Sequence, residues 1–186
     1  MINKLNNLST TNQAIELEKC CGSQKWVNAM TAACPFLDID TLHKTCDDIW
    51  ETCEEADYLE AFMHHPQIGD IDSLKRKFAN TSKWASNEQK GANEASDEIL
   101  EQLKLNNGVY LKRFGFIFIV CATGKTAKQM LDLLNARLPN QRSDEILIAA
   151  SEQNKITHLR LDKLLEPQSI AEITGPDKNN NDENNI

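Results

Sequence analysis

The chain has 186 residues, of which 40% are hydrophobic and 26% are charged, and 20 Lys and Arg against 28 Asp and Glu give it a formal net charge of −8. This length and composition suit one domain with a packed core and exclude wholesale disorder. The negative charge gives no overall electrostatic reason to bind nucleic acid or an anionic membrane, so we expect neither as a partner. No apolar run reaches the length of a membrane span.

The ends of the chain and its cysteines predict a cytoplasmic protein. The first residues, MINKLNNLSTTNQ, contain one lysine and no apolar segment of the kind that a secretory signal needs. The six cysteines are scattered without a C-x-x-C pair, which is typical of reduced thiols rather than of a disulfide framework.

Helical signals dominate the first third of the chain. Thr10 with Gln13 has the spacing of a capping box for a first helix. Ser23 is a candidate N-cap for a second helix that ends before Pro35, and the apolar residues after Asp38 follow helical spacing in a third. A fourth helix is expected from about residue 54 to residue 64.

The second half continues in the same way, with one exception. Ser86 with Gln89 resembles another capping box, and Thr126 with Gln129 is the next. A last long helix is expected from Ser143 to about residue 165. Residues 116–122, FIFIVCA, fit either a buried strand or a buried extended link, and periodicity does not decide between them.

Because a strand signal occurs only around residue 116, the alternation that an α/β fold requires is missing. We therefore predict an all-α fold, with a single compact multi-helix domain over residues 1–165. Residues 166–186 are polar and rich in asparagine, and we expect a disordered tail there.

His65 is the most informative candidate for chemistry. Pro66 disfavours helical geometry at the residue before it, so His65 is expected where the fourth helix ends. The partial negative charge of a helix C-terminus favours imidazolium, the form that a general acid requires. The plain alternative is a histidine that only caps the helix, followed by a proline that stops it.

Two further segments have a structural and a functional interpretation. The helix start at Ser86, Glu88 and Gln89 is explained by capping alone, but its free amides and polar side chains would also bind a polar ligand if they lined a cavity. Arg160 lies between two leucines, where it forms either a solvated helix edge or an inward, bidentate partner for a carboxylate.

A metal site has little support from spacing. His43 and Cys46 lie three residues apart on one helical face, which would suit two zinc ligands. No second pair has ligand spacing, so we predict no metal, and a zinc hydrolase is the weakest of the alternatives.

Four segments, taken in order, carry a more specific signal. The chain contains His65-Pro66-x-Ile68-Gly69, then Glu88-Gln89, then Asn107-x-x-Tyr110-x-x-Arg113-Phe114-Gly115-Phe116-x-Phe118-Ile119, and finally Lys155-Ile156-x-x-Leu159-Arg160-Leu161. This ordered set resembles the 2-oxo-4-hydroxy-4-carboxy-5-ureidoimidazoline (OHCU) decarboxylase family of urate breakdown.

The resemblance implies an all-α fold, a homodimer, and a reaction without metal or organic cofactor that releases CO2 from OHCU to give (S)-allantoin. It implies catalytic roles for His65 as the proton donor and for Glu88 and Arg160 beside it. The substrate-binding residues that it implies are Pro66, Ser86, Gln89, Phe118, Ile119, Val120, Cys121 and Ala122.

One position departs from the family pattern. The family often has serine three residues before the glutamate, where this chain has Ala85, and Ser86 replaces that serine only after a small local shift. The alternative to an enzyme is a non-catalytic helical interaction module associated with purine catabolism.

Overall fold

The computed structural model describes residues 2–65 and 97–166, and within these ranges the chain forms eight helices and no strand. The all-α prediction is confirmed. The helices are α1 (Asn3–Asn6), α2 (Thr10–Glu18), α3 (Gln24–Ala33), α4 (Ile39–Trp50), α5 (Glu55–Met63), α6 (Asp97–Phe114), α7 (Ala127–Arg137) and α8 (Arg142–Leu165). The predicted tail lies outside the described residues apart from Glu166.

Helix starts follow the capping signals in two of three cases. The Ser23 hydroxyl accepts from the amide of Trp26, and Thr126 and Gln129 satisfy each other's backbone N–H groups at the start of α7. Both predictions are confirmed, because a capping interaction needs only residues within one turn.

The capping box predicted at Thr10 is wrong. Ser9, one residue earlier, is the extended N-cap of α2, and its hydroxyl accepts from the amide of Asn12. Gln13 is buried and turns away from the helix start, donating its amide to the carbonyl of Leu5 at 3.3 Å. The glutamine therefore joins α2 to α1 instead of capping α2.

The long helix α8 is the element against which the helices of the site pack. Both α4 and α5 pack against it, whereas α6 packs against α7. The residues of α8 that are buried follow helical spacing and are Glu145, Ile146, Ala149, Ala150, Gln153, Thr157, Leu161 and Leu165. Three polar residues, Glu145, Gln153 and Thr157, thus occupy positions where an apolar side chain is the rule.

The apolar run after α6 is an extended link and not a strand. Gly115 ends α6 with a φ of +79°, and its amide donates to the carbonyl of Leu111, the left-handed helix stop that favours glycine. Residues 117–122 then continue without helix or strand. This decides between the two alternatives that the sequence left open.

All six cysteines are free thiols, as predicted. None of the described helices combines the length and the apolar content that crossing a bilayer requires.

Candidate active site

His65 lies one residue beyond the C-cap of α5. The helix ends at Met63, and the amide of His65 still donates to the carbonyl of Phe62 at 3.1 Å. The predicted position of His65 at a helix C-terminus is confirmed, and its side chain is half-buried. Pro66 lies outside the described residues.

A buried glutamine holds the imidazole. The Nε2 atom of His65 is 2.5 Å from Oε1 of Gln153, which is fully buried in α8. At its other end the Gln153 amide nitrogen donates to Oγ1 of Thr157 at 3.2 Å, and the Thr157 hydroxyl donates to the carbonyl of Gln153 at 3.1 Å. Because this network turns the amide oxygen towards His65, the imidazole is the donor and carries its hydrogen on Nε2.

Gln153 and Thr157 are not among the site residues that the sequence predicts. The two residues are four positions apart on the buried face of α8, among alanine, isoleucine and leucine. A buried polar residue must find a hydrogen-bond partner, so a glutamine at a core position of an amphipathic helix is itself a signal. That signal indicates a polar partner in the fold without naming it.

A cavity of about 350 Å³ opens beside His65. Apart from the imidazole its lining is mainly apolar and comes from α5, from the end of α6 and from the start of the extended link; it consists of Leu59, Phe62, Met63, His65, Leu111, Gly115, Phe116 and Ile117. Apolar walls exclude water, and charges interact more strongly in such a space than in bulk solvent. Among the described residues that line this cavity, His65 is thus the polar side chain.

Three charged side chains fix the extended link. Arg137 donates to the carbonyl of Ile119 at 2.8 Å, and Glu152 accepts from the amide of Cys121 at 2.7 Å. Lys125 donates to the carbonyl of Cys121 at 2.7 Å. An irregular segment held at these points offers its remaining backbone groups in fixed directions, as a ligand-binding wall requires.

The residues of this link differ in exposure. Phe118 and Ile119 are buried, whereas Val120, Cys121 and Ala122 are half-buried. Glu152 and Gln153 are consecutive in α8, so one turn of this helix holds both the link and the imidazole of His65. The structure therefore connects His65 with residues 118–122 through α8.

The titration of Glu152 reflects this contact. Burial raises the pKa of Glu152. The ammonium of Lys155 and the N–H of Cys121 lower it by more, so that the pKa of Glu152 lies below its ordinary value. The carboxylate is therefore ionised near neutral pH, the form in which it accepts from the backbone.

A buried ion pair between Arg137 and Glu145 supports the link. The Glu145 carboxylate is fully buried and accepts from Nε of Arg137 at 2.6 Å and from the hydroxyl of Tyr110. The guanidinium of Arg137 also lies over the ring of Phe118, 4.7 Å from its centroid. This network joins α6, α7 and α8 under the link.

Arg160 lies elsewhere. It is half-buried, and its Nη1 donates to the carbonyl of Cys20 at 3.2 Å. It lines a groove with His64 and Lys163, and within the described residues Arg160 and His65 line different cavities. Its role towards a substrate stays a prediction, as do those of Pro66, Ser86, Glu88 and Gln89, all of which lie outside the described residues.

Comparisons with known proteins give the site its context. The sequence model of the OHCU decarboxylase family matches residues 6–162. The uric acid degradation bifunctional protein TTL of Arabidopsis thaliana is 38% identical over 157 residues, which are 83% of this chain and 48% of that protein. The 2-oxo-4-hydroxy-4-carboxy-5-ureidoimidazoline decarboxylase of Xenopus laevis is 28% identical over 68% of this chain and 72% of its own length.

A crystal structure of an OHCU decarboxylase in the presence of (S)-allantoin superimposes with a TM-score of 0.65 and 39% identity, covering 80% of this chain and 96% of that one. The chain spans less than half of the Arabidopsis protein and 33% of the bifunctional protein PucL of Bacillus subtilis, which it matches at 25% identity. Because the family model covers residues 6–162 of 186, the chain belongs to the OHCU decarboxylase family.

Proposed function

We propose that this chain decarboxylates OHCU to (S)-allantoin in urate degradation. The observation that carries the proposal is the family match over residues 6–162. It is supported by the position of His65, a proton-carrying side chain that is fixed at the edge of an apolar cavity.

The reaction itself explains why we expect no cofactor. Loss of CO2 leaves an electron pair on C4 of OHCU, and the adjacent ring C=N bond delocalises that pair as an enol-like species. The protein therefore has no electron sink to supply. It has to remove water from the carboxylate, orient the carboxylate out of the ring plane and deliver one proton to one face of C5, while the 4-hydroxyl becomes a carbonyl group.

His65 is the proton donor in this mechanism. As a cation it pairs with the substrate carboxylate or the 4-hydroxyl, and it then protonates the carbanion. Gln153 is a positioning residue, because its amide oxygen fixes the orientation of the imidazole by accepting from Nε2. The apolar lining of the cavity keeps competing water away from the carbanion.

The other site residues bind and orient the substrate. Glu88 accepts from the ureido N–H groups, and Gln89 bridges the ring edges, with Pro66 and Ser86 beside them. We assign Arg160 an electrostatic role from the separate groove that it lines, since a guanidinium does not release its proton in proteins. The link contributes the backbone donors and acceptors that Arg137, Glu152 and Lys125 leave available in the segment of Phe118, Ile119, Val120, Cys121 and Ala122.

The test is an assay with freshly made substrate. OHCU is generated from urate, its ultraviolet absorbance is followed with and without the purified full chain, and the product is examined by circular dichroism. We expect faster decay and optically pure (S)-allantoin. His65→Asn should keep the folded circular dichroism spectrum and lower kcat by about 100-fold or more, the range for loss of a general acid.

Two outcomes would contradict the proposal. Decay of OHCU at the uncatalysed rate with folded protein would favour a non-catalytic module. Unchanged turnover in His65→Asn would leave the reaction in place and remove His65 from it.

We also propose a cytoplasmic homodimer that binds neither nucleic acid nor membrane, with its enzymatic domain in residues 1–165. The six free thiols support the compartment, because thiols stay reduced in the cytosol. Family membership supports the dimer. Sedimentation at several protein concentrations tests the assembly, and a monomer at all of them would refute it.

A further inference from the structure

A second cluster of chemically active side chains lies between α4 and α8, apart from the cavity beside His65. We call it the α4–α8 cluster and define it by Cys46 and Asp47 of α4 and by His158 of α8. One ligand-type atom of each residue, the sulfur, a carboxylate oxygen and a ring nitrogen, lies within 4.8 Å of the other two.

Neighbouring side chains hold these groups in place. Asp47 Oδ1 accepts from Nε2 of His158 at 2.7 Å and from the side-chain amide of Asn154 at 2.6 Å. The Cys46 thiol lies 3.7 Å from Oδ1 of Asn154 and points towards it. Asn154 therefore orients both the carboxylate and the sulfur.

The imidazole of His158 is fixed on its other side by a second histidine. His43 stacks on it with ring centroids 4.5 Å apart and an interplanar angle of 16°. Nε2 of His43 is 2.7 Å from the carboxylate of Asp162, so the two histidines are tied to acidic residues of opposite helices. Such outer contacts are what orient metal-binding imidazoles in proteins.

We propose that Cys46, Asp47 and His158 form a binding site for a divalent transition metal of the zinc class. One sulfur, one nitrogen and one oxygen are the donors that Zn²⁺ and its neighbours accept, whereas Mg²⁺ and Ca²⁺ prefer oxygen alone. Cys46 is buried, and Asp47 and His158 are half-buried, so the metal enters from the solvent side with its fourth position left to water.

Binding rearranges protons in a balanced way. The S–H bond of Cys46 breaks, its proton leaves to the buffer, and a metal–sulfur bond forms. The hydrogen that His158 now shares with Asp47 moves to Nδ1, so that Nε2 binds the metal as a neutral imidazole. The metal then bridges α4 and α8, and it stabilises the folded chain by an amount that grows with the logarithm of the free metal concentration once that exceeds the Kd.

The experiment is a cobalt titration of the reduced full chain, followed by absorption spectroscopy. We expect a thiolate-to-cobalt charge-transfer band with visible bands of low symmetry, displacement by Zn²⁺, and a rise in the thermal unfolding midpoint with metal. Cys46→Ala and His158→Gln should each abolish the charge-transfer band. Cys34→Ala, which removes a half-buried thiol outside the cluster, should keep it.

Further variants keep the proposal testable if Cys46→Ala fails to fold. Asp47→Asn and His158→Gln change half-buried positions and should weaken cobalt binding, and Asn154→Ala should weaken it by about 10- to 100-fold through lost orientation of the ligands. Absence of the band in the folded wild type, its survival in folded His158→Gln, or an equal band in unfolded protein would each overturn the proposal. None of these measurements uses OHCU, so their outcomes are independent of the proposed activity.

Discussion

Replacement of Gln153 by methionine tests whether the buried amide positions His65. Methionine nearly preserves the volume of glutamine but accepts hydrogen bonds only weakly. Thr157 keeps its own bond to the carbonyl of residue 153 at 3.1 Å, so its hydroxyl is not left without a partner. The substitution thus removes the 2.5 Å contact to Nε2 of His65 with little other change.

The size of the effect follows from one hydrogen bond. A typical intramolecular hydrogen bond contributes about 0.5 to 1.5 kcal/mol net. If that free energy holds the imidazole in its reactive orientation, kcat should fall by roughly two- to tenfold, since about 1.4 kcal/mol corresponds to a factor of ten in rate. KM should change little, because Gln153 is not expected to contact substrate.

A double-mutant cycle distinguishes positioning from general damage. Once His65 is replaced by asparagine, Gln153→Met should cost nothing more, because the group that it orients is gone. The matched control is Gln13→Met, a buried glutamine that donates to the carbonyl of Leu5 far along the chain from His65. It should lower the unfolding midpoint without changing kcat.

The reasoning would be refuted if Gln153→Met lowered kcat by the same factor in the His65→Asn background as in the wild type. It would equally be refuted if Gln153→Met had wild-type kcat, or if Gln13→Met reproduced its loss of activity.

Two predictions concern the support of the link. Glu145→Gln should lower the free energy of unfolding by about 3 to 5 kcal/mol in a urea titration, because the buried charge of Arg137 loses its partner; a loss no larger than that of an exposed Glu→Gln change would contradict this. Glu152→Gln should flatten the acid limb of the stability profile. The folded pKa of Glu152 is depressed, so its stabilisation is present above the unfolded pKa and is lost as pH falls through the folded pKa. Parallel acid limbs for the variant and the wild type would show that Glu152 contributes no such linkage.

The helix ends show what the sequence can predict. Ser23 and Thr126 act within a single turn, so these N-caps can be predicted from local spacing. At α2 there are two adjacent candidates for the N-cap, Ser9 and Thr10. Ser9 is the N-cap because Gln13 hydrogen-bonds to α1 instead of to the start of α2, and local spacing does not reveal that contact. The extended link is ambiguous for the same reason, since its form depends on contacts from Arg137, Glu152 and Lys125.

The site depends on contacts between distant parts of the chain. His65 was identifiable from its proline neighbour, but Gln153 lies 88 residues further on and meets it only because α5 packs on α8. Likewise the spacing of His43 and Cys46 indicated the right helix for metal ligands, whereas the other nitrogen comes from His158 in α8. Only the fold brings these partners together.

The position of Glu152 and Gln153 in α8 explains how two irregular parts of the chain stay in register. Neighbouring residues of a helix keep a fixed spacing, because each turn is closed by backbone hydrogen bonds. Since Gln153 holds His65 and Glu152 holds Cys121, the separation of His65 from the link is set by this rigid spacing and not by the loops between them. A shift of α8 would move both together, so the placement of His65 relative to the link is preserved even where the surrounding chain is irregular.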